Sequence, residues 1–447
     1  MTDSRFLSNP SPEQMPRTAD VIVIGGGPTG AAALWAIERA APGTKTVLIE
    51  KGPALASGAS LASLENFRTC WNAPCLHRMM LRSIHVFKNA DEFLGEGGAL
   101  GIKQQGYLFL AVNERQAAGL KGDVEHLNRH GLEHIEYLDH DELRRRYPWL
   151  GERMIAAKYD PMAGWLDSNA LTYRLAASAR HARILLDVQG TKVRLEGGLV
   201  KGVSTANGDI DAPIVVIAAG AGSRALGRSA GIDIPIVSRP RQSFTTSYRH
   251  ASYPADGPCL ISAAPHPHVR PEAGEGAVFG WEYHWLTRLE GQMRKVDALQ
   301  TPDHSADHYK DPRFPSLTLA LLARQFGHQP GEGFADPRYL RGLWHRAGYY
   351  VYRDNAYVTL PDGTRQRYDS QRAIIDRWPD IDGLFLSVAH VGHGIMSAPA
   401  AGEILAARVL NQPLPDPTFA DFGLDVPFVE YDEGGLSESG WDEALAV

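Results

Sequence analysis

The chain has 447 residues, of which 44% are hydrophobic and 22% charged. This composition excludes a disordered, fibrous or disulfide-scaffold protein. No run approaches about 20 uninterrupted apolar residues, and residues 1–20 lack an apolar centre, so we expect neither a membrane span nor a signal peptide. The net charge of −7 comes from the C-terminal end, because five Asp and four Glu but no Lys or Arg follow Arg408. The near-neutral body does not favour nucleic-acid binding.

The length of the chain and its cysteines indicate how many domains to expect and in which compartment. One hydrophobic core rarely supports 447 residues, so two domains are predicted. The three cysteines, Cys70, Cys75 and Cys259, fit neither a disulfide framework nor a paired-cysteine metal site. We therefore expect a reducing cytoplasm as the compartment and no bound metal.

The first 50 residues predict a βαβ unit. Residues 1–19 are rich in Pro and Ser and are predicted to form a loose leader. Residues 29–41 are rich in Ala and Leu and predict a helix. Apolar runs that predict buried strands of one parallel sheet stand at residues 21–24, 46–49, 214–217 and 384–386.

The segments between these strands have another character. The hydrophobic pattern predicts helices at about 75–95 and 314–326, a strand at 106–111, short strands over 240–285 and a hairpin at 359–368. The acidic tail is predicted to wrap the surface or to be partly disordered.

A glycine-rich motif, GGGPTG, joins the first strand to the first helix. In a dinucleotide fold Gly25 makes the tight turn, Gly27 admits the pyrophosphate and Gly30 lets the helix pack on the strand. Glu50 ends the next strand and can accept hydrogen bonds from ribose hydroxyls. The motif fits NAD or FAD and disfavours NADP, because a carboxylate would repel a 2′-phosphate. The small-residue loop at 56–60 favours FAD.

Seven sequence blocks, the first two of which contain the features just described, follow one another in an order typical of a single family. They are DVIVIGGGPTG (20–30), LIEKGPALASGAS (48–60), GYLFLA (106–111), GWLDSNAL (164–171), VVIAAGAGSRALGRSAGIDIP (215–235), VRPE (269–272) and GLFLSVAHVGHGIMSAPAAGEILAARVL (383–410). Together they resemble the FAD-dependent amine and amino-acid oxidoreductases of the D-amino-acid oxidase superfamily, the group of glycine and sarcosine oxidases.

The resemblance implies an α/β (α+β) fold with a discontinuous Rossmann-like FAD-binding domain and a second, substrate domain built on a mixed β-sheet. The expected bounds are a leader at 1–19, an FAD-binding domain at 20–90, 150–238 and 345–412, a substrate domain at 91–149 and 239–344, and an acidic tail at 413–447.

The resemblance also implies which residues contact FAD and substrate. Besides Gly25, Gly27, Gly30 and Glu50, the expected cofactor-binding residues are Pro28, Thr29, Lys51, Ser57, Ser60, Val193, Ala219, Gly220, Gly392, His393, Gly394, Ile395 and Met396. A helix that begins near Ser397, with Pro399 in its first turn, is expected to point its positive end at the flavin. The candidate catalytic residues are His393, Arg68 and Tyr350.

The sequence departs from the sarcosine oxidases at three positions. Met396 stands where they carry a substrate-anchoring Lys, Val278 where a Lys promotes reaction with oxygen, and Gly348 where a Cys links the flavin. We therefore expect non-covalent FAD and a slow reaction with oxygen. Arg346 and Arg353 are candidates for a carboxylate clamp in place of the missing Lys.

These features predict an FAD-dependent oxidoreductase that acts on a C–N bond of an amine or amino acid and passes electrons to oxygen or another acceptor. Two alternatives stay open. A 2-hydroxy-acid dehydrogenase would need a base, for which His393 and His345 are candidates. A non-catalytic flavoprotein that serves as an assembly or binding factor would keep the fold and the cofactor without the reaction.

Overall fold

The computed structural model describes residues 4–263, 265–272, 274–281, 286–289, 292–295, 298–359, 363–367 and 370–425. In chain order the strands are β1 (Phe6–Ser8), β2 (Val21–Ile24), β3 (Thr46–Ile49), β4 (Asn66–Phe67), β5 (Tyr107–Ala111), β6 (Glu136–Leu138), β7 (Ala156–Asp160), β8 (Gly164–Trp165), β9 (Arg183–Leu186), β10 (Gly190–Glu196), β11 (Leu199–Thr205), β12 (Gly208–Asp211), β13 (Ile214–Ile217), β14 (Ile236–Thr246), β15 (Cys259–Ile261), β16 (His268–Pro271), β17 (Ala277–Trp281), β18 (Leu286–Leu289), β19 (Gln292–Lys295), β20 (Trp344–Arg353), β21 (Tyr357–Thr359), β22 (Arg365–Arg367), β23 (Ile374–Arg377) and β24 (Leu384–Val388). The α-helices are α1 (Pro28–Ala40), α2 (Pro74–Lys88), α3 (Ala90–Leu94), α4 (Glu114–Arg129), α5 (His140–Arg146), α6 (Ser168–Ser178), α7 (Ser223–Ser229), α8 (Phe314–Phe326) and α9 (Gly394–Val409).

The first sheet has the strand order β1-β9-β3-β2-β13-β24-β23. Its neighbours run parallel except β23, which is antiparallel to β24. Every residue of β2 and β3 is buried, as a parallel sheet covered on both faces requires. The four apolar runs predicted as strands therefore do lie side by side, although they come from segments far apart in the chain.

Alternate residues of these strands face two different cores. Val21 and Val23 pack with α1, α2, α6 and α9, whereas Ile22 and Ile24 pack with the small sheet of β10, β11 and β12. Helices α1 and α9 approach each other closely at Gly402, which faces the backbone of Ala32. A side chain at residue 402 would overlap the Ala32 carbonyl oxygen, so glycine sets the distance between the two helices.

The second sheet has the order β20-β14-β17-β16-β15-β5-β7-β6. It is mixed, because β15 pairs parallel with β5 while the other pairs are antiparallel. The two sheets confirm the predicted fold class. Strands β7 and β20 fall in the segments expected for the FAD-binding domain and pair within the second sheet. The expected domain bounds stay a prediction, because a strand cannot be assigned to a sheet from sequence without its pairing partners.

The described parts of the two terminal segments pack against the rest of the fold. Within the expected loose leader, β1 pairs in parallel with β9 and forms the edge of the first sheet. At the other end Phe419 and Phe422 are buried, and the buried Arg353 donates hydrogen bonds to the carbonyls of Gly423 and Leu424. The rest of the acidic tail lies outside the described residues.

The predicted hairpin is present as the antiparallel pair β21 and β22. Residues 360–362, which include most of its expected turn, lie outside the described residues. In the part of the chain that the structure describes, no helix is long and apolar enough to cross a membrane.

The contact of α1 with α9 leads to a stability prediction. Gly402→Leu should lower the free energy of unfolding by about 1–3 kcal/mol or more, because overpacking forces the helices apart. Gly119→Leu is the matched control, since residue 119 is exposed on α4 and a Cβ there would meet nothing within 4 Å. Urea unfolding followed by circular dichroism measures both. Equal midpoints for the two variants would contradict the close contact.

Candidate active site

The loops that carry most of the predicted cofactor residues meet at the carboxyl edge of the first sheet. Strands β2, β3, β13 and β24 run in the same direction, so the segments that follow them leave the sheet side by side. The Gly25 N–H donates to the Ile49 carbonyl and the Ala218 N–H to the Ile24 carbonyl, each at 2.9 Å. This edge is where open parallel sheets bind their ligands.

The glycines of the first motif have different surroundings. A Cβ at Gly25, whose φ is 121°, would overlap the Ala218 carbonyl oxygen, and a Cβ at Gly30 would overlap the Gly25 carbonyl oxygen. A Cβ at Gly27 would meet nothing within 4 Å. Helix α1 starts directly afterwards, with Pro28 and Thr29 in its first turn. Gly25 and Gly30 thus keep the turn closed, while Gly27 leaves one side open for a phosphate at the helix N-terminus.

The acidic residue after β3 supports this turn. Glu50 accepts hydrogen bonds from the backbone N–H groups of Gly26, at 2.6 Å, and Gly52, at 2.7 Å. Each carboxylate oxygen still has a second lone pair for a ribose hydroxyl. Lys51 and Ser57 are exposed beside it. A Cβ at Gly52 would come within 2.6 Å of the Ser57 hydroxyl, so the two loops are adjacent.

The remaining predicted contacts divide into two groups. Ala219 and Gly220 follow β13 at the same edge, and Ser60 lies in a 3-10 helix, Ala59–Ala62. Val193 lies elsewhere: its side chain is fully buried in β10, in the core between the small sheet and the first sheet. Its role as a cofactor contact stays a prediction. Val188 is the residue next to the site, because its N–H donates to the Glu50 carbonyl at 2.9 Å.

The segment after β24 differs from its prediction. Helix α9 begins at Gly394, with His393 as its N-cap, and not near Ser397. Pro399 therefore lies inside the helix, where it cannot donate the usual hydrogen bond. The turn of the chain at Gly392 sets the start, because the Tyr350 ring lies against this glycine and leaves no room for a side chain. Ile395 and Met396 are buried in the first turn of α9.

His393 is the most unusual side chain of the site. It is 1% exposed, and neither ring nitrogen has a hydrogen-bond partner among the described residues. Burial lowers its pKa well below the ordinary value, and His390 and Arg68 lower it further. A buried polar ring without partners is costly unless a ligand supplies them. We read these nitrogens as facing a group that the protein itself does not provide.

Arg68 and Trp71 stand between His393 and the second sheet. The Trp71 ring lies 5.1 Å from the His393 ring, and the Arg68 guanidinium lies 3.8 Å above the Trp71 ring. Arg68 also donates to the Cys70 carbonyl at 3.0 Å. The structure therefore brings together two predicted residues, Arg68 and His393. It adds Trp71, which was not among the candidate site residues.

A cleft opens between the 3-10 helix and the second sheet. Its lining residues are Ala59, Ala62, Ser63, Leu64, Arg241, Gln242, Ser243, His268, Trp281, Gly348 and Tyr350. Tyr350 was predicted here, but Arg241, Gln242 and His268 were not. They lie on β14 and β16, in a stretch whose alternating short strands gave no signal of which side chains share a face.

Two hydrogen bonds to its side-chain amide oxygen hold Gln242 in one orientation. That oxygen accepts hydrogen bonds from the Asp311 N–H and from His345 Nε2, both at 2.9 Å. Its amide nitrogen is buried and has no partner among the described residues. The Arg241 guanidinium lies 5.6 Å from the Tyr350 ring. The cleft therefore offers hydrogen-bond donors to a ligand that can accept them.

Three other residues named by the sequence analysis, Arg353, Arg346 and Val278, make contacts within the protein. Arg353 is fully buried and bonded to the C-terminal segment, which contradicts its prediction as a carboxylate clamp. Arg346 donates to the Leu61 carbonyl at 2.6 Å at the rim of the 3-10 helix. Val278 is buried in β17, opposite Arg270 of β16. The expectation of slow reaction with oxygen stays a prediction.

The described residues fit a dinucleotide with a flavin ring. The open side of Gly27 at the N-terminus of α1, the acidic Glu50 and the unpartnered ring of His393 all lie along one sheet edge. Within the described ranges, no group of three His, Cys, Asp or Glu side chains is placed to hold a metal ion.

Comparison with known proteins agrees with this geometry. Residues 20–408 match the family model "DAO: FAD dependent oxidoreductase". Glycine oxidase of Bacillus licheniformis is 24% identical over 407 residues, which cover 90% of this chain and 95% of that protein. Mitochondrial dimethylglycine dehydrogenase of Rattus norvegicus is 26% identical over 245 residues, 54% of this chain. The chain matches only 28% of the length of that dehydrogenase.

Solved structures show the same fold. L-proline dehydrogenase from P. horikoshii has a TM-score of 0.72 at 23% identity and covers 92% of this chain and 98% of its own. Glycine oxidase from Bacillus cereus has a TM-score of 0.69 at 21% identity, with 92% and 100% covered.

The different surroundings of the motif glycines give a matched pair of variants. Gly27→Val should abolish FAD binding and leave the unfolding of the cofactor-free protein unchanged, because its side chain points into open space. Gly30→Val should abolish FAD binding and also lower the unfolding temperature of the cofactor-free protein, since the side chain wedges α1 off β2. Flavin content and thermal unfolding of the stripped protein are the measurements. Normal flavin content in Gly27→Val would place the dinucleotide elsewhere.

Proposed function

This chain belongs to the DAO family of FAD-dependent oxidoreductases, and from that premise we propose that it oxidises a C–N bond of an amino acid or a related amine. Bound FAD supplies the acceptor for the hydride on the carbon next to nitrogen, and water hydrolyses the resulting imine. Glycine oxidase and dimethylglycine dehydrogenase among its relatives support this class of substrate.

The observation that carries the proposal is the lining of the cleft. Arg241 and Gln242 present N–H donors, and none of the described lining residues is Asp or Glu. Such a surface favours a carboxylate, which accepts a charge-assisted hydrogen bond from the Arg241 guanidinium.

The same charges favour the reactive form of the substrate nitrogen. A cation such as Arg241 disfavours an ammonium group nearby, so the amine is more easily bound neutral, with its lone pair available. The protein then contributes orientation and electrostatics. The Tyr350 ring against Gly392 closes the cleft next to the loop of His393.

The histidines distinguish this reaction from oxidation of a 2-hydroxy acid, which needs a base to remove a hydroxyl proton. Burial, and then Lys310, lower the pKa of His345 to about 4. His393 has a pKa well below its ordinary value, mainly because it is buried. Both rings are neutral and weakly basic at pH 7. They suit hydrogen bonding better than proton abstraction, so we place the C–O reaction second.

We also propose that the flavin is held without a covalent bond. Residue 348 is glycine, and a Cβ there would already meet Ala59 at 3.1 Å. The position therefore supplies neither a nucleophile nor the space for one.

The proposed reaction is tested by anaerobic bleaching of the flavin absorbance with secondary amines, D- and L-amino acids and 2-hydroxy acids. We expect bleaching by members of the amino-acid group and none by the hydroxy acids. Retained yellow colour with every amine and amino acid would support the non-catalytic flavoprotein and contradict our proposal.

The carboxylate preference has its own test. Arg241→Met should raise the KM or Kd of an amino acid about 10- to 100-fold, the scale of one lost charged hydrogen bond. It should leave the carboxamide of the same amino acid nearly unaffected. Arg239→Met is the matched control, because Arg239 lies on the same strand against the Tyr352 ring, outside the set of cleft-lining residues. An equal loss for acid and amide would show that Arg241 does not bind the carboxylate.

A further inference from the structure

Asp160 is a fully buried carboxylate at the end of β7, and its hydrogen bonds cross to another part of the fold. One oxygen accepts from the Thr69 N–H at 2.6 Å, the Thr69 hydroxyl at 2.9 Å and the Cys70 N–H at 3.2 Å. The other oxygen accepts from the Met162 N–H at 3.0 Å. A strand of the second sheet thus fixes the backbone of Thr69 and Cys70, which follows β4.

This backbone carries the Arg68–Trp71 pair. The Trp71 N–H donates to the Thr69 carbonyl at 2.8 Å, and Arg68 donates to the Cys70 carbonyl at 3.0 Å. Arg68 precedes Thr69 and Cys70 in the chain and Trp71 follows them, and the side chains of Arg68 and Trp71 stack on each other. Any displacement of Thr69 and Cys70 therefore moves the guanidinium and the indole together, relative to His393.

His134, which is partly exposed, adds a further contact to the hydrogen bonds between Asp160 and Thr69. Its Nε2 lies 2.7 Å from the Thr69 hydroxyl oxygen and 3.9 Å from Asp160. The hydroxyl has one proton, which goes to the carboxylate because a carboxylate only accepts. His134 Nε2 therefore donates to Thr69. Burial lowers the pKa of His134 and nearby Asp160 opposes this shift. The neutral ring satisfies the geometry.

We propose that Asp160 is a positioning residue, which sets the place of Arg68 and Trp71 beside the flavin by holding the Thr69–Cys70 backbone from the substrate-domain sheet. The proposal rests on the proposed function, with FAD bound at the sheet edge that carries His393, and on the proximity of Arg68 and Trp71 to that histidine. It does not depend on the identity of the substrate.

The sign of a potential shift distinguishes positioning from a direct effect of charge. A cation next to the flavin stabilises the reduced, negatively charged form and raises the midpoint potential. Removing the negative charge of Asp160 would by itself raise the potential further. If instead its loss lets Arg68 move away, the potential falls. Asp160→Asn keeps the shape of the side chain but puts an NH2 group where one of the carboxylate oxygens accepts hydrogen bonds.

The experiment measures the midpoint potential of the FAD-bound protein by dithionite titration against reference dyes. We expect Asp160→Asn and Arg68→Met each to lower the potential, and Asp160→Asn to lower it no further in the Arg68→Met background. The flavin reduction rate with an amino acid that bleaches the wild-type protein should fall at least about tenfold in Asp160→Asn, with little change in KM. An unchanged or raised potential in the single variant would overturn the proposal.

Two further variants keep the test decisive. Asp123→Asn is the control. Asp123 lies on α4 and its carboxylate pairs at 2.9 Å with Lys158, which is on β7 like Asp160. This variant should leave the midpoint potential and the flavin reduction rate unchanged. If Asp160→Asn does not retain FAD, Thr69→Val still removes the hydroxyl link and leaves the backbone bonds. It should lower the potential by a smaller amount, and no change would again overturn the proposal. A failure of every amine to reduce the wild-type flavin would refute the proposed reaction but leave the potentials measurable.

Discussion

The site depends on the close approach of two backbone segments, Gly25 and Ala218, at the carboxyl edge of the parallel sheet. The pairing of β2 with β13 ends in a hydrogen bond from the Ala218 N–H to the Ile24 carbonyl. No space remains between the two segments for a side chain at residue 25. Because this contact is direct, the loops after four strands meet in one place, although residues 25 and 392 are separated by most of the chain. The substrate side of the site is then added by a different sheet.

Charge is distributed unevenly between the two sides of the site. The histidines, His345 and His393, lose their basicity through burial. The positive charge is carried instead by the guanidinium groups of two arginines, Arg68 and Arg241. Such a site keeps its charge across the physiological pH range. Its pH dependence is therefore expected to follow the ionisation of the substrate amine more than that of the protein.

Sequence patterns predicted four neighbouring strands of the first sheet and the glycine turn after β2, because each piece there has a local signature. The strand, glycine turn, helix and acidic residue from Val21 to Glu50 are contiguous, and the run before His393 is a single apolar strand. The cleft was harder to predict, because Arg241, Gln242 and His268 become neighbours only through the pairing of β14, β16 and β17. Pro399 shows the opposite error. The expected helix start near Ser397 put it in the first turn, but α9 begins three residues earlier, at Gly394, so Pro399 lies inside the helix.

Strand β1 has a consequence for the behaviour of the protein in solution. Its three residues cover one edge of β9, whose sequence, Arg-Ile-Leu-Leu, is largely apolar and buried. An uncovered strand edge of this kind is a template for pairing with another molecule. The short N-terminal strand covers this edge, and an edge strand of only three residues leaves few backbone groups for pairing with another molecule. A tag or fusion that displaces residues 6–8 would uncover the edge of β9.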